Sequence, residues 1–226
     1  MSQKTKILPS IMCSSPADME AYIREFEKCG IDAIHFDVMD GHFVPNIMLG
    51  VRDYTAIKKA TQMPVDIHLM CEDPELYLDY FKPQPGDWVS FHPETSRNPY
   101  RLLMAIRDRG CRAGIVLSPG TPVEYITEMA GVLDFILVMA VNPGFAGQKM
   151  GPDHLPKLRR IRELVDAAGR QIDIIIDGNT TPENARKMIE AGATGLVTGT
   201  SSMLKNGPEG FARMYEAYIE SLSESC

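Results

Sequence analysis

The stretch 33-AIHFDVMDGHFVPN-46 changes character around Asp37. Its first half is an apolar run of the kind that forms a buried strand, and its second half contains the Gly, Pro and Asn that favour a loop. Two further strings, 66-DIHLM-70 and 174-IIIDGN-179, also carry His or Asp in the tail of an apolar run. Polar side chains at the ends of several buried strands indicate a functional site at one edge of a sheet.

Eight strand-like runs alternate with longer amphipathic segments. Strict alternation of strand and helix predicts a parallel sheet, and eight such units in 226 residues predict closure into a (β/α)8 TIM barrel. An open doubly wound sheet is the alternative, but no GxGxxG motif follows the first run. We therefore expect an α/β fold with a single domain over residues 1–226. The predicted strands are 6–10, 33–37, 65–69, 88–92, 112–117, 134–139, 172–177 and 194–199.

The segments between these runs carry signals for helix ends. In 17-ADMEAYIREFEKCG-30, apolar residues fall on one face and Gly30 is placed to end the helix. Pro opens three further predicted helices, 74–81, 122–129 and 182–192, where its missing N–H costs nothing. Four side chains precede such starts and are predicted N-caps: Ser15, Asp73, Thr121 and Thr181.

Composition restricts the classes of function. The chain is 44% hydrophobic, carries a net charge of −7 and has no Lys/Arg cluster, so nucleic acid is not an expected partner. No apolar run approaches the roughly 18 residues of a membrane span. The N-terminal MSQKTKILPS has no apolar stretch long enough for a signal peptide. The five cysteines, scattered without a CxxC pair, are typical of reduced thiols in a cytoplasmic protein.

Four polar residues are predicted to converge at the carboxyl ends of the strands. The two-residue period of a strand puts His35 and Asp37 on one face, and His68 and Asp177 lie at the ends of two other strands. Each alone could simply cap a strand and bond to a loop. Two imidazoles and two carboxylates together suit one divalent metal ion, which could be Zn, Fe(II), Mn, Co or Mg. The cation would let both carboxylates stay ionised and act as bases.

Two glycine turns predict a phosphate site. Gly178 and Asn179 lead into a helix start at Thr181, and 199-GTSS-202 follows the last predicted strand and enters a helix-like segment. The loops after the seventh and eighth strands are where barrels commonly bind phosphate, and glycine lets backbone amides approach an oxyanion closely.

Two features at the predicted mouth of the barrel would enclose a ligand. The segment 142-NPGFAGQK-149 has the glycines of a mobile lid, although a plain surface turn is the alternative. Met39, Met70 and Met139 lie at the mouths of the second, third and sixth predicted strands and could form an apolar collar, although methionine more often fills a core.

The remaining histidines have less specific settings. His92 and Glu94, in 92-HPET-95, are placed to lie behind the metal ligands. His42 lies in a predicted loop and His154 at a predicted helix start, so both are expected to be solvated.

These motifs resemble the ribulose-phosphate 3-epimerase family over residues 6–205. The matching strings are 8-LPSIM-12, 35-HFDVMDGHFVPN-46, 66-DIHLM-70, 91-FHPE-94, 138-VMAVNPGFAGQ-148 and 176-IDG-178. By position, the resemblance implies that His35, Asp37, His68 and Asp177 bind metal and that Asp37 and Asp177 transfer protons. It also implies that the substrate is a sugar phosphate, held by Ser10, His68, Gly144, Phe145, Ala146, Gly147, Asp177, Gly178, Asn179, Gly199, Thr200 and Ser201.

The resemblance implies inversion at C3 of a 2-ketose phosphate through an enediolate. The chain has GFAG, DGN and GTSS where the pentose-phosphate pattern has GFGG, DGG and GSA. The strings HPET, GFAG and GTS are similar to the branch that acts on D-allulose 6-phosphate. The substrate is therefore either D-ribulose 5-phosphate, giving D-xylulose 5-phosphate, or D-allulose 6-phosphate, giving D-fructose 6-phosphate.

Two other functions and the oligomeric state stay open at this point. A metal-free phosphate-barrel isomerase or decarboxylase commonly uses Lys or Glu at strand ends, and no Lys ends the second, third, sixth or seventh predicted strand. A non-catalytic phosphosugar-binding barrel would need neither paired carboxylates nor a lid. A homo-oligomer is expected, and the aromatic residues of the predicted helix 207–220 could face the barrel or a partner subunit.

Overall fold

The computed structural model describes residues 4–223, which form nine strands and eight α-helices. The strands are β1 (Lys6–Pro9), β2 (Ile34–Asp40), β3 (Ile47–Met48), β4 (Val65–Met70), β5 (Trp88–Phe91), β6 (Arg112–Leu117), β7 (Phe135–Met139), β8 (Asp173–Asp177) and β9 (Gly195–Thr198). The helices are α1 (Met19–Cys29), α2 (Val51–Ala60), α3 (Pro74–Phe81), α4 (Pro99–Asp108), α5 (Tyr125–Met129), α6 (His154–Ala167), α7 (Pro182–Glu190) and α8 (Phe211–Ser223).

Eight of the strands are parallel and each is followed by a helix. The sheet order is β1-β9-β8-β7-β6-β5-β4-β2-β3, and a parallel bridge joins Ser10, just after β1, to His35 near the start of β2. The predicted single-domain (β/α)8 barrel is therefore confirmed, while the domain limits 1–226 stay a prediction. The ninth strand, β3, pairs antiparallel with the end of β2. A two-residue strand is too short to give a detectable sequence period.

The core has an inner and an outer layer because strand side chains alternate between the two faces of the sheet. Inside the barrel, Leu8, Val116, Leu137 and Ile175 belong to one buried apolar cluster with Trp88 and Phe135. Between the sheet and the helices, a larger cluster is formed by the alternate strand residues and the apolar helix faces. This two-layer packing fixes the strands and therefore the positions of the side chains at their ends.

Three of the four predicted N-caps are confirmed. Asp73 accepts from Leu76 N and Thr181 from Asn184 N, while Ser15 accepts from Ala17 N in a short 3-10 turn that leads into α1. The cap at Thr121 was wrong, because its hydroxyl donates instead to Glu94 Oε1 at 2.9 Å, and α5 begins only at Tyr125.

The ends of two other helical segments were also predicted. Gly30 ends α1 with φ of 65°, as expected for a left-handed C-cap. The helix-like segment expected after 199-GTSS-202 is instead a series of turns, in which Ser202, Met203 and Leu204 all donate backbone N–H groups to Gly199 O.

Helix α8 turns its aromatic residues toward the barrel. Phe211 is fully buried and packs edge-on against Phe26 with a ring-centroid distance of 4.8 Å. Tyr218 is also buried and its hydroxyl donates to Thr180 O at 2.9 Å. The alternative left open by the sequence is decided for these two residues, because Phe211 packs against α1 and Tyr218 supports the loop after β8.

Among the described residues, no helix is long and apolar enough to cross a membrane. Cys13, Cys29, Cys71 and Cys111 are free thiols, as predicted, and Cys226 lies outside the described residues.

A polar network closes the amino-terminal end of the barrel, opposite the predicted site. Asp173 accepts from Lys6 Nζ at 2.9 Å and from Arg112 Nη2 at 2.6 Å, and the Arg112 guanidinium lies 4.1 Å from the Trp88 ring centroid. Burial alone would raise the pKa of Asp173, but the hydrogen bonds from Arg112 and Lys6 outweigh it and hold the pKa below its ordinary value.

Replacing Asp173 with Asn should lower the free energy of unfolding by about 2 kcal/mol at pH 7, since hydrogen bonds to charged groups contribute about 1.5–3 kcal/mol each and both cations remain partly solvated. Because the folded pKa is depressed, this stabilisation is present above the unfolded pKa and is lost as the pH falls through the folded value. Urea unfolding between pH 3 and 7 measures it, with the exposed Asp166→Asn as control. A constant difference across this range would contradict the assignment.

Candidate active site

The four predicted metal ligands lie together at the carboxyl end of the barrel. Parallel pairing places Asp37 of β2 opposite His68 of β4, and Asp177 ends β8 across the barrel. His35 Nε2 is 3.1 Å from Asp37 Oδ1 and 3.7 Å from Asp177 Oδ2. His68 Nδ1 is 3.2 Å from Asp37 Oδ1 and 3.9 Å from Asp177 Oδ2. One donor atom from each residue therefore falls within 4.8 Å of all the others.

This donor set fits a divalent metal ion. Two imidazole nitrogens and two carboxylate oxygens point at one another from buried or nearly buried positions, which is the arrangement expected of ligands around a cation. Within residues 4–223, no Lys or Arg side chain forms a salt bridge with either carboxylate. Since neither a Lys nor an Arg side chain among the described residues balances the Asp37 and Asp177 carboxylates, a bound cation would be their natural partner.

A third carboxylate, that of Asp66, stands behind His35. It is fully buried, and its Oδ2 lies 2.7 Å from His35 Nδ1 while its Oδ1 has no hydrogen-bond partner among the described protein atoms. Sequence reasoning missed this residue, although the two-residue period of 66-DIHLM-70 puts Asp66 on the same face as His68. Asp66 fixes the orientation of the His35 ring and leaves its Nε2 facing the cluster.

A second chain of polar groups stands behind His68. Its Nε2 lies 3.1 Å from His92 Nε2, and His92 Nδ1 lies 3.1 Å from Ser118 Oγ and 3.7 Å from Glu94 Oε1. His92 and Glu94 are thus placed behind a candidate ligand, where the sequence put them. Ser118 was not anticipated, because it reaches this chain from a different strand end.

Burial and neighbouring charges separate the pKa values of the two aspartates. Burial opposes ionisation of Asp37, but the adjacent His35 outweighs it and holds the pKa of Asp37 well below its ordinary value. Burial, together with repulsion from Asp37 and Asp66, raises the pKa of Asp177 to about 7. Two carboxyl groups whose pKa values are pushed apart are suited to act as a base and an acid in one reaction.

The two histidines differ in the same way. Burial would lower the pKa of His35, but Asp37 and Asp66 outweigh it and raise that pKa well above 6.5. His68 has no second carboxylate behind it, so burial dominates and lowers its pKa to about 4. His68 is accordingly a neutral imidazole at neutral pH.

A cleft opens above the cluster. Every residue predicted to contact substrate lines it except His68, whose ring lies behind Asp37 and is fully buried. The three predicted collar residues Met39, Met70 and Met139 also line the cleft. Asn142 and Gln148 of the predicted lid line it as well. Further lining residues that were not named as contacts from the sequence are Met12, Cys13, Val141, Thr180, Val197 and Thr198.

The loop after β8 depends on glycine. Gly178 has φ of 105°, and a Cβ at this position would lie only 2.6 Å from Val141 Cγ2. Asn179 follows with φ of 51°, and its side-chain oxygen accepts from Met150 N at 3.1 Å. The turn is therefore held against the neighbouring 141–150 loop.

Replacing Gly178 with Ala should raise KM for a phosphorylated substrate about 10-fold or more with a smaller change in kcat, because the turn would shift by several tenths of an ångström and misplace backbone donors. Steady-state kinetics measures this split. Gly131→Ala is the matched control, since nothing lies within 4 Å of its added Cβ. An unchanged KM in the Gly178 variant would contradict the role of this turn.

The predicted lid, residues 142–149, is an ordered turn over the cleft. Gln148 Nε2 donates to Asn142 O at 2.7 Å and to Phe145 O at 2.8 Å, and Asn46 Nδ2 donates to Gly144 O at 2.9 Å. The Phe145 ring is 52% exposed. Movement of this loop stays a prediction.

Two histidines were predicted to be solvated, and only one of them is. His42 is exposed, as expected. The prediction for His154 was wrong, because its side chain in the first turn of α6 is buried beside the Met139 backbone at the end of β7. Burial lowers the pKa of His154 to about 4.

Solved structures with the same fold include enzymes of other kinds. The chain is similar to a mutant tryptophan synthase α-subunit from Pyrococcus furiosus, with a TM-score of 0.66, 12% identity and coverage of 98% of this chain and 99% of that one. It is also similar to phosphoribosyl anthranilate isomerase from Thermococcus kodakaraensis, with a TM-score of 0.63, 14% identity and coverage of 98% and 100%. At such low identity these similarities support the barrel fold alone.

Sequence comparisons are more specific. The sequence model of the ribulose-phosphate 3 epimerase family matches residues 6–203. The ribulose-phosphate 3-epimerase of Bacillus subtilis is 41% identical over 87% of this chain and 91% of its own length, and that of Synechocystis is 39% identical over 89% and 88%. These relatives are named as epimerases, which agrees with the predicted isomerase class. The chain therefore belongs to the ribulose-phosphate 3-epimerase family.

Proposed function

We propose that this protein is a metal-dependent 3-epimerase of a 2-ketose phosphate, acting by two-aspartate proton transfer. The observation that carries the proposal is the meeting of Asp37 and Asp177 with two imidazoles beneath an open cleft. Family membership supports the reaction class, and the names of the relatives support D-ribulose 5-phosphate as a substrate. The two rival functions gain no support from the described residues.

His35, Asp37, His68 and Asp177 would hold one divalent cation, which is Zn, Fe(II), Mn, Co or Mg. When bound, the cation supplies Lewis-acid stabilisation of negative charge that develops on the substrate oxygens. Ser10 donates to Asp37 Oδ2 at 2.6 Å and so orients that carboxylate with its Oδ1 toward the imidazoles.

Proton transfer belongs to the two aspartates. The C3 proton of a 2-ketose is acidic because its removal gives an enediolate conjugated with the C2 oxygen. Inversion requires one group to take the proton from one face and a second group to return a proton to the opposite face. Asp37, with its depressed pKa, is ready to act as a base, and Asp177, with a pKa of about 7, can carry a proton at neutral pH.

The phosphate would be held by backbone amides of three loops. The chain has a net charge of −7, so an anion must be attracted locally rather than by the overall field. The loop residues Gly144, Phe145, Ala146, Gly147, Gly178, Asn179, Gly199, Thr200 and Ser201 line the cleft and would surround the substrate. Closure of residues 142–149 and the Met39, Met70 and Met139 collar would keep water from the intermediate.

The cellular setting stays a proposal as well. We expect a cytoplasmic homo-oligomer that takes a small sugar phosphate and neither nucleic acid nor membrane as partner.

The proposed reaction predicts deuterium at C3 of the product. Incubation of the metal-loaded protein with D-ribulose 5-phosphate in D2O, followed by NMR of the product, should show solvent-derived deuterium at C3 because the intermediate loses the original proton. The sugar phosphate incubated in D2O without protein is the control for background exchange. Binding of the sugar phosphate with no exchange would instead favour a non-catalytic barrel.

Steady-state kinetics of the same metal-loaded protein chooses between the two sugars. Comparison of kcat/KM for D-ribulose 5-phosphate and D-allulose 6-phosphate with one metal tests the similarity of HPET, GFAG and GTS to the hexulose branch. A preference above about 10-fold, equivalent to about 1.4 kcal/mol, would assign the substrate.

A further inference from the structure

The two imidazoles of the candidate metal cluster present different ring nitrogens to it. His35 presents Nε2, which is 3.1 Å from Asp37 Oδ1, whereas His68 presents Nδ1, which is 3.2 Å from the same oxygen. A neutral imidazole has a free lone pair on only one nitrogen. The two rings must therefore be held in opposite tautomers if both are to offer a lone pair to one cation.

The groups that hold the two rings are of different chemical kinds. Behind His35 stands a carboxylate, since Asp66 Oδ2 lies 2.7 Å from Nδ1 and, when ionised, can only accept a hydrogen bond from it. Behind His68 stands another imidazole, since His92 Nε2 lies 3.1 Å from His68 Nε2. Of two imidazole nitrogens in hydrogen-bond contact, one has to donate and the other to accept. The direction of this bond therefore tells which nitrogen of each ring carries the proton.

We propose that His92 is a positioning residue that holds His68 in its Nε2–H tautomer, and that the hydrogen-bond chain from His68 through His92 to Ser118 reverses direction when metal is removed. This inference rests on the proposed metal-dependent function. Neither His92 nor Ser118 lines the cleft, so both would act through His68 rather than on the substrate.

With the cation bound, the direction follows from the donor geometry. The Nδ1 lone pair of His68 is committed to the cluster, so its proton is on Nε2 and donates to His92 Nε2. His92 then carries its own proton on Nδ1, which donates to Ser118 Oγ at 3.1 Å. Glu94 Oε1, at 3.7 Å from the same nitrogen, favours a proton there.

After chelation, the contact at His68 Nδ1 favours the opposite direction, against the weaker and longer contact of Glu94 with His92 Nδ1. His68 Nδ1 then faces carboxylate oxygens, and a nitrogen 3.2 Å from an ionised carboxylate is stable only as a donor. His68 Nε2 becomes the acceptor, His92 carries its proton on Nε2, and the Ser118 hydroxyl rotates to donate to His92 Nδ1. Each ring keeps one proton and the serine keeps its own, so the reversal changes no net charge.

The surroundings of His92 suit this role. The residue is fully buried, and its ring lies 4.6 Å from that of Phe43, which restricts rotation. A purely structural histidine would need no free lone pair on Nε2.

The direction of the chain can be read directly by long-range 1H–15N NMR of the 15N-labelled, wild-type protein. In the Zn2+-loaded protein we expect His92 to carry its proton on Nδ1 and His68 to carry its proton on Nε2. After chelation, each ring should carry its proton on the other nitrogen, which is Nε2 for His92 and Nδ1 for His68. A His92 ring protonated on Nε2 in the Zn2+ form, or protonated on both nitrogens, would overturn the inference.

Two variants test the consequence for metal binding. Loss of an outer hydrogen-bond partner typically weakens metal affinity about 10–100-fold, so His92→Phe should raise the Kd for Zn2+ by this factor in a chelator competition. His92→Gln keeps an acceptor oxygen and should bind Zn2+ within about threefold of the wild type. Equal Kd values for His92→Phe and the wild type would overturn the positioning role.

These results distinguish failure of the inference from failure of the proposed function. A wild-type protein that binds no Zn2+ would refute the metal-dependent function itself, whereas tight Zn2+ binding that ignores His92→Phe would refute only the inference. Circular dichroism of the chelated variants reports whether they fold. Should His92→Phe fail to fold, the wild-type NMR spectra still decide the direction of the chain.

Discussion

The variants Asp37→Asn and Asp177→Asn should each lower kcat/KM by about 10²–10⁴-fold, the usual contribution of a positioned acid–base group. The reason is that inversion at C3 needs a proton-transfer group on each face, and an amide can serve neither as base nor as acid. Steady-state kinetics at saturating metal measures the loss. Metal content must be determined for each variant, because both residues are also candidate ligands.

The two variants should also differ from one another. If each aspartate transfers protons on one face of C3, a protein that keeps only one aspartate can still remove and return the proton on that face. It would exchange the C3 proton of one epimer with solvent without inverting the configuration at C3. We expect deuterium to enter opposite epimers in the two variants. The exposed Asp166→Asn should behave as the wild type. Substantial turnover in either active-site variant would contradict the two-base scheme.

Removal of metal should abolish turnover, and re-addition of one divalent cation should restore it. Without a cation, the carboxylates of Asp37 and Asp177 share one pocket with that of Asp66 and repel one another, which is why burial and these neighbours raise the pKa of Asp177 to about 7. Dialysis against a chelator followed by titration with Zn, Mn, Co, Fe(II) or Mg measures both steps. Full activity in protein shown to contain no metal would refute the assignment.

Chelation should also change the dependence of stability on pH. The folded pKa of Asp177 is raised, so between its unfolded value of about 4 and its folded value of about 7 the folded state keeps a proton that the unfolded chain has released. Stability of the chelated protein should therefore fall as the pH rises through this window. Thermal unfolding of chelated and metal-loaded protein compares them, and the metal-loaded form should be the more stable at pH 7.

Much of the site could be predicted because its signals are local. Asp37 and His68 are placed by the two-residue period of a strand, and this period needs only a few neighbouring residues to be visible. Asp66 lies in the same strand segment as His68 and was still missed. The role of an acidic residue within a strand becomes clear only when its partner on the neighbouring strand is known. Parallel register puts Asp66 opposite His35, and register is not written in either strand alone.

Two wrong predictions also arise from contacts that a local stretch of sequence does not reveal. Thr121 has the sequence signature of an N-cap, but its hydroxyl is taken by Glu94, which is 27 residues away. His154 begins a helix, as predicted, but its ring is buried beside the Met139 backbone at the end of β7. In both cases a contact between distant segments overrides a correct local signal.

The sequence by itself determined the eight strand–helix units, the closed barrel and the four polar residues at the strand ends, because periodicity and turn chemistry act over short distances. Only the tertiary structure decided which ring nitrogen each histidine presents, which groups stand behind them, and how far the pKa values of Asp37 and Asp177 diverge. Hydrogen-bond direction and desolvation depend on what surrounds a side chain from every strand of the barrel, and that environment exists only after the chain has closed.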